Sequence, residues 1–298
     1  MILSRLREWL PEWQSGPDAA TRGAAGLAMA PRPLARPVPD AGWPSDRLAV
    51  SDALWGTGYM VPGGEAEVLR LAKPLGLSEA SSVLLLGCGT GGAARCLAEE
   101  FGAWVSGFEA DAALVAAASR LCTGAGLAKQ AAIESWDPAA PRFAARYYHH
   151  ALALEPLRRG RVETLLPALA GALRPGGNLV LTDVVDADAA AGASALAAWL
   201  RAEDRAMPPP ASAVARALAG LGFDIRVAED ITHRHVGLMA RGWRDLVRGI
   251  GAARPTPAKA AHLVAEAEMW LQRARVMRGG RVRLMRWHAI GREASVVC

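Results

Sequence analysis

Three glycines and one acid have the spacing in this chain that points most directly to chemistry. Gly87, Gly89 and Gly91 follow an apolar stretch, and Glu109 ends the next one. A glycine turn between a strand and a helix directs backbone N–H groups at a ligand above the sheet. An acid at the end of the following strand can accept hydrogen bonds from both hydroxyls of a ribose. The pattern predicts a nucleotide-type site.

Two cofactor patterns fit the same turn. Gly87, Gly89 and Gly92 form the GxGxxG spacing of dinucleotide sites, whereas Gly87, Gly89 and Gly91 form the GxGxG spacing typical of S-adenosylmethionine sites. The loop alone also fits a tight turn without a ligand, so the choice depends on the elements around it. The turn residues expected to contact a cofactor are Gly87, Cys88, Gly89, Thr90 and Gly91.

Apolar stretches alternate with helical ones along most of the chain. Strands are predicted at SVLLLG, WVSGFE, AKQAAI, YYHHALAL, GNLVLTDVV, FDIRVAED and RVRLMRWHAI. Helices are predicted at GAARCLAEEF, DAALVAAASRLCTGAG, RRGRVETLLPALAGALR and SAVARALAGLG, and over residues 237–253 and 257–277. This alternation predicts an α/β fold with a doubly wound, mostly parallel sheet of seven strands, Rossmann-like, with helical additions around it.

The chain is expected to divide at residue 48. Residues 1–48 are rich in proline, which prevents regular structure over much of the stretch, and are predicted to form an N-terminal arm. Residues 49–298 are predicted to form one domain. Residues 1–10 place their apolar side chains close to one helix face, so this short helix either packs on the domain or docks a protein partner.

Composition and charge exclude several classes of protein. The 298 residues are 52% hydrophobic and 21% charged, with a formal net charge of +5 spread over scattered arginines. No apolar run reaches the length of about 20 residues that spans a membrane, and scattered arginines do not predict nucleic-acid binding. The cysteines, Cys88, Cys96, Cys122 and Cys298, form no CxxC pair. We therefore expect a cytoplasmic protein without a metal site or a disulfide framework.

Three further stretches resemble class I S-adenosylmethionine-dependent methyltransferases. They are ALRPGGNLVLTDVV, ESWDPAAP and the segment that leads into the glycine turn, LWGTGYMVPGGEAEVLRLAKPLGLSEASSVLLLGCGTGG. The last resembles the aromatic, glycine-rich strap that closes over the cofactor in phosphoethanolamine-type small-molecule methyltransferases. The resemblance covers residues 50–185 and implies that residues 49–298 form a domain that methylates a small molecule with S-adenosylmethionine.

The same resemblance implies positions for other site residues. Trp136 and Asp137 are placed at the cofactor, with Asp137 near the adenine amino group. Trp55 and Tyr59 either offer aromatic faces to the cofactor or to a cationic acceptor, or anchor the strap as a hydrophobic plug. Glu155 either completes the acceptor pocket or caps the next helix.

Two histidines of the fourth predicted strand are candidates for the site. His149 and His150 are expected at the carboxyl end of that strand, where ligands of open α/β sheets bind. Because side chains alternate along a strand, at most one of the two enters the site. His150 is the candidate general base, and His149 could instead back the cofactor. The alternative is a strand-end histidine without a catalytic role.

Two C-terminal stretches are expected to be structural. His233 and His235 follow the sixth predicted strand, and a metal site there would need a third ligand that the spacing does not supply. A solvated loop is therefore expected. The arginines of EAEMWLQRARVMRGGRVRLMRWHAIGR are expected on the solvated face of a helix.

Two positions without the usual acids, and the second glycine spacing, leave other functions open. Most class I methyltransferases carry one acid two residues before the first glycine and another in the fourth strand, where this chain has Leu85 and Tyr148. A second hypothesis is therefore a catalytically weak or inactive methyltransferase-like scaffold that binds a protein partner through its N-terminal arm. A third is an NAD(P)-binding oxidoreductase that uses the GxGxxG spacing.

Overall fold

A computed structural model describes residues 42–187, 193–250 and 255–292. Most of the expected N-terminal arm, including the helix predicted over residues 1–10, lies outside these ranges, as does Cys298. The boundary expected at residue 48 falls inside a helix that runs from Ser45 to Trp55.

Seven strands form one sheet. They are β1 Ser82–Leu86, β2 Trp104–Glu109, β3 Ala131–Ser135, β4 Tyr148–Leu154, β5 Leu173–Asp186, β6 Phe223–Asp230 and β7 Val282–Gly291. Their order in the sheet is β3-β2-β1-β4-β5-β7-β6. β7 pairs antiparallel with β5 and β6, and the other neighbouring strands are parallel. The predicted doubly wound, mostly parallel seven-stranded sheet is confirmed.

Helices cover both faces of this sheet and its carboxyl edge. They are α1 Ser45–Trp55, α2 Gly64–Ala72, α3 Gly92–Phe101, α4 Ala112–Gly124, α5 Val162–Ala172, α6 Ala193–Glu203, α7 Ala211–Gly220, α8 Thr232–Ile250 and α9 Pro257–Arg278. α4 begins where it does because the Asp111 side chain accepts hydrogen bonds from the N–H groups of Ala113 and Leu114. This cap fixes the direction of the chain just after the end of β2.

Side-chain alternation along the strands divides the core between the two faces of the sheet. In β1, Leu84 and Leu86 pack in the cluster that includes α5 and α7. Val83 and Leu85 pack in the cluster that includes α2 and α3. β1 is buried on both sides, as expected for a central strand of a doubly wound sheet.

A third cluster joins α1, α8 and α9 above the sheet. It includes Trp55, Trp243 and Trp270, all of them buried. The rings of Trp55 and Trp270 meet edge to face with centroids 5.1 Å apart. α8 and α9, which come from the C-terminal part of the chain, therefore hold α1 in place over the carboxyl edge of the sheet.

The strand register brings three chain segments to one edge. Leu86 of β1 lies opposite Phe108 of β2 and Ala153 of β4. The carboxyl ends of these parallel strands therefore meet, and the turn after β1, Glu109 and Glu155 follow at the same edge. Within the described ranges, no helix is long and apolar enough to cross a membrane.

Candidate functional site

The glycine turn connects β1 to α3. Gly87, Gly89 and Gly91 have φ angles of 76°, 55° and 81°, in the left-handed region that favours glycine. Gly87 also lies close to β4, because a Cβ there would be 2.3 Å from the carbonyl oxygen of Leu154. Its N–H donates to the carbonyl of Phe108 at 2.9 Å. The turn is therefore held between β2 and β4.

Glu109 ends β2, and its carboxylate faces the turn. Oε2 accepts a hydrogen bond from the N–H of Gly89 at 2.9 Å. Oε1 accepts from the N–H groups of Ala110 and Asp111, at 2.8 Å and 3.2 Å. A carboxylate has about four lone-pair positions, so these bonds leave one, on Oε2, for a ligand.

Leu85 occupies the position where an acid was expected. Its side chain is fully buried, in the apolar cluster that also contains Val68 and Leu97. The hydrogen bond from Gly89 to Glu109 gives the turn a carboxylate partner from the next strand instead. The turn is thus ordered without an acid at residue 85.

The strap between α1 and α2 lies against the outer side of the turn. The N–H of Gly92 donates to the carbonyl of Gly58 at 2.8 Å, and the N–H of Gly58 donates to Asp52 Oδ1 at 2.8 Å. A Cβ on Gly89 would lie 2.8 Å from the Met60 side chain. Gly92, which completes the dinucleotide spacing, therefore makes room for the strap.

One cavity of about 1270 Å³ extends from the glycine turn to α8 and α9. It is bordered by α1, by the carboxyl ends of the strands and by residues of α6. Of the site residues expected from the sequence, Trp55, Gly87, Glu109, Trp136 and Glu155 line it. Those that are not among its lining residues are Tyr59, Cys88, Gly89, Thr90, Gly91, Asp137, His149 and His150.

Trp136 and Asp137 separate at the end of β3. Trp136 lines the cavity, and its N–H donates to the carbonyl of Glu109 at 3.2 Å. Asp137 is exposed, and its Oδ1 accepts from the N–H of Ala139 at 2.8 Å. The structure therefore brings Trp136, and not Asp137, to the cavity.

The two strap aromatics also differ. Trp55 is buried against Trp270 and contributes to the cavity wall. Tyr59 packs at the edge of the apolar clusters, and its hydroxyl lies 3.5 Å from Glu65 Oε2. Tyr59 thus packs against both apolar clusters and is not among the residues that line the cavity.

The structure places His149 and His150 at the opposite edge of the sheet. β4 begins at Tyr148, and His150 lies opposite Val83 near the start of β1. The expected position at the carboxyl end of the strand was therefore wrong. The four apolar residues after His150 form the buried part of β4 and carry the chain on to the cavity, so that Glu155 occupies the strand end.

His149 has its own partners at that distant edge. Its Nδ1 lies 2.9 Å from Ser82 Oγ, and its Nε2 lies 2.7 Å from a guanidinium nitrogen of Arg174. Burial, and then Arg174, lower the pKa of His149. Burial, and then His149, lower the pKa of His150. The structure brings neither histidine to the glycine turn.

Four residues that line the cavity lie close together and are called the far wall: Glu155, His235, Trp270 and Arg273. The guanidinium of Arg273 donates to Glu155, and its Cζ lies 5.6 Å from the ring centroid of Trp270. The ring centroids of His235 and Trp270 are 6.4 Å apart. Three separate segments, after β4, in α8 and in α9, thus meet around one space.

Behind the far wall lies a network of buried ion pairs. Arg205 contacts Asp183 Oδ1 at 2.5 Å and Glu155 Oε2 at 3.0 Å, and its side chain is 1% exposed. Arg273 contacts Glu203 at 3.2 Å as well as Glu155. Because each buried charge has an opposite charge beside it, the network can remain ionised out of water.

The network fixes the protonation states of the groups near the cavity. Burial favours a protonated Glu155, but Arg273 and Arg205 outweigh it and hold the pKa of this carboxyl at about 2. Burial raises the pKa of Asp183 to about 6 against the opposing effect of Arg205. Burial, and then Arg273, lower the pKa of His235 to about 3. At neutral pH, Glu155 is therefore charged and His235 is neutral.

Sequence reasoning missed most of this network. His235 lies in the first turn of α8 and is buried, so the expected strand end and solvated loop were wrong. Arg273 is 4% exposed, so it does not lie on the expected solvated face of its helix. One usable signal was Asp183, an acid inside the apolar run LVLTDVV of a central strand, because a buried acid requires a partner.

Comparison with known proteins supports the interpretation of the fold. Residues 83–177 match the family model described as a methyltransferase domain. This range contains the glycine turn, Glu109 and Glu155. A search of curated proteins finds no match to the chain.

Solved structures of several enzymes are similar. Haemonchus contortus phosphoethanolamine N-methyltransferase 2 in complex with S-adenosyl-L-methionine has a TM-score of 0.74 and 19% identity, over 85% of this chain and 59% of that chain. Streptomyces coelicolor geranyl diphosphate C-methyltransferase, with geranyl diphosphate and S-adenosyl-L-homocysteine, has a TM-score of 0.59 and 15% identity, over 76% and 77%.

A third similar structure is the cyclase SpnF, with a TM-score of 0.60 and 21% identity, over 77% of this chain and 81% of that chain. At these identities the similarity shows the fold and not the reaction. This chain also spans only about 59% of the length of the Haemonchus contortus enzyme. The protein has the class I methyltransferase fold, and its residues 83–177 match the methyltransferase domain family.

Proposed function

We propose that this protein transfers a methyl group from S-adenosylmethionine to a small molecule bound in the same cavity. The observation that carries the proposal is the continuity of the cavity, which is lined by Gly87 and Glu109 and also by Glu155 and His235. Its volume of about 1270 Å³ exceeds that of typical single-ligand pockets, about 300–1,000 Å³. Two ligands therefore have room to lie end to end.

The residues at the glycine-turn end fit the cofactor. Gly87 brings its backbone to the cavity lining, and Trp136 offers an aromatic wall for an adenine. The free lone pair of Glu109 Oε2 would accept a hydrogen bond from one ribose hydroxyl, and a second hydroxyl would replace one of the backbone donors. When bound, S-adenosylmethionine supplies a methyl group that its sulfonium has already activated.

The chain's own residues would then act chiefly by position. An acceptor held between the glycine-turn end and the far wall is aligned with the donor, which is the main requirement of this reaction. α1 and α9 cover the cavity and limit the access of water. Glu155 stays ionised and bonded to Arg205 and Arg273, so we assign it to the positioning of the far wall and not to proton transfer.

The two similar methyltransferases are named after small molecules, phosphoethanolamine and geranyl diphosphate, which supports a small acceptor here. The scaffold hypothesis keeps one supporting observation, the buried Leu85 in place of an acid. The oxidoreductase hypothesis loses its support from Gly92, because that glycine accommodates Gly58 of the strap.

Calorimetric titration of the purified full-length chain tests the proposal. S-adenosylmethionine, S-adenosylhomocysteine and NADH are titrated separately at pH 7.5. We expect micromolar binding of the first two and none of NADH. Binding of NADH alone would establish a dinucleotide site, and failure of all three ligands to bind would favour the scaffold hypothesis.

A further inference from the structure

The far wall contains several buried polar atoms without a protein partner. Within the described part of the chain, Trp270 Nε1, Arg273 Nε and His235 Nε2 have no hydrogen-bond partner. The three residues are 7%, 4% and 5% exposed, and all of them line the cavity. A buried N–H group without an acceptor is costly, so a ligand oxygen that reached this cluster would remove that cost.

Two of these three nitrogen atoms can only donate a hydrogen bond. The indole Nε1 of Trp270 and the Nε of Arg273 are always donors. His235 is neutral at physiological pH and can present one donor or one acceptor. At least two fixed donors therefore point to an oxygen-rich group on the ligand.

Several carboxylates that line the cavity form ion pairs with arginines. Arg47 forms an ion pair with Glu266 at 2.7 Å, and Arg234 forms one with Glu67 at 2.7 Å. The acids of the cavity lining that are paired with arginine are Glu67, Glu155, Glu203, Asp204 and Glu266. Each of these acids therefore already has a cationic partner, whereas Glu109 and Asp111 of the same lining are bonded to backbone N–H groups.

A further guanidinium adds positive potential to the same cavity. Arg158 follows β4 and lines the cavity, and its Nε donates to the peptide oxygen of Glu203 at 2.9 Å. No carboxylate within the described ranges forms an ion pair with it. Its guanidinium lies within electrostatic range of Glu203 and Glu155 as well as of Arg205 and Arg273, and it adds a third arginine to this side of the cavity.

We propose that the methyl acceptor carries an oxyanion, a carboxylate or a phosphate, which Trp270, Arg273 and His235 bind at the far wall. This inference rests on the proposed function, because it assigns the glycine turn and Glu109 to the cofactor. The acceptor atom would then lie between the far wall and Glu109.

The test uses three probes of similar size, namely benzoate, phenyl phosphate and benzylamine. Each is titrated calorimetrically at pH 7.5 into the full chain, alone and saturated with S-adenosylhomocysteine. We expect at least one of the two anions to bind about tenfold or more tightly than benzylamine. The two anions distinguish a carboxylate from a phosphate. Tighter binding of benzylamine, or no binding of either anion, would overturn the proposal.

Matched tryptophan variants locate the site. Trp270→Phe keeps the ring but removes the N–H, and we expect it to weaken anion binding about tenfold. Trp243→Phe is the control, because Trp243 is also buried in the same cluster with an unpartnered Nε1 but does not line the cavity. Equal effects of the two variants would contradict the assignment.

The two levels of inference fail separately. If S-adenosylhomocysteine does not bind, the proposed function is wrong, while the titrations of the protein alone still decide whether the anion site exists. If S-adenosylhomocysteine binds and the anions do not, only the acceptor class is wrong. Thermal melting of both variants verifies that each is folded before it is titrated.

Discussion

The carboxylate of Glu109 accepts a hydrogen bond from the N–H of Gly89 at 2.9 Å. One side chain thus orders the glycine turn and faces the space where a ribose would bind. Leu85, at the usual position of the ordering acid, is buried and apolar. The turn and the proposed ribose position are therefore coupled through Glu109, and substitution of this residue should affect both.

Glu109→Gln is expected to weaken the binding of S-adenosylmethionine by about tenfold to a hundredfold, because hydrogen bonds to a charged group contribute about 1.5–3 kcal/mol. Amide exchange of Gly89 should also become faster. Calorimetry and hydrogen exchange measure the two effects. Glu134→Gln, at an exposed acid on the adjacent strand β3, is the matched control, and equal effects of the two variants would contradict the role of Glu109.

Gly92→Ala is expected to destabilise the fold by about 1–3 kcal/mol, because overpacking of this size has that cost. A Cβ there would lie 2.5 Å from the carbonyl oxygen of Gly58, so the strap would have to move. Gly124→Ala, where no atom lies within 4 Å of the added carbon, should be neutral or stabilising by up to about 1 kcal/mol. Urea denaturation compares the two, and similar stabilities would show that the strap does not press on Gly92.

Asp183→Asn is expected to destabilise the protein by about 3–5 kcal/mol, since it removes one partner of a buried ion pair. Arg205 is 1% exposed and Asp183 is fully buried, so little water can replace the lost charge. In Asp204→Asn the carboxylate is 84% exposed, and a change below about 0.5 kcal/mol is expected. Urea denaturation at pH 7.5 measures both, and a small effect of Asp183→Asn would mean that the network contributes little.

The buried neutral His235 predicts a specific dependence of stability on pH. Its pKa is lowered to about 3 in the folded protein from an ordinary value of 6.5. Between these values the unfolded chain binds more protons at this position, so the stability that depends on neutral His235 falls as the pH falls below 6.5. It does not vary with pH above 6.5.

His235→Gln lacks this titration. The difference in unfolding free energy between the wild type and His235→Gln should therefore decrease by about 2 kcal/mol between about pH 7 and about pH 5. Asp183 and Glu155 titrate in both proteins and cancel to first order. Urea denaturation at a series of pH values measures the difference, and a constant difference would show that His235 is not buried in its neutral form.

The sequence alone determined the features that depend on neighbouring residues. Alternating apolar strands and helices predicted the doubly wound sheet, because these periods are local properties of the chain. Gly87, Gly89 and Glu109 were identified for the same reason, since a turn and the end of the next strand have a fixed spacing in this fold. The strand FDIRVAED was predicted with the same bounds that the structure gives it.

Contacts between distant parts of the chain decided the composition of the far wall. Glu155 meets Arg205 across 50 residues of chain and Arg273 across 118, and no local pattern predicts contacts at such separations. The bounds of β4 decided that Glu155, and not His150, occupies the strand end. Arg273, one of the arginines expected on a solvated helix face, is buried because α9 packs over the carboxyl edge of the sheet, where it meets the carboxylates of Glu155 and Glu203.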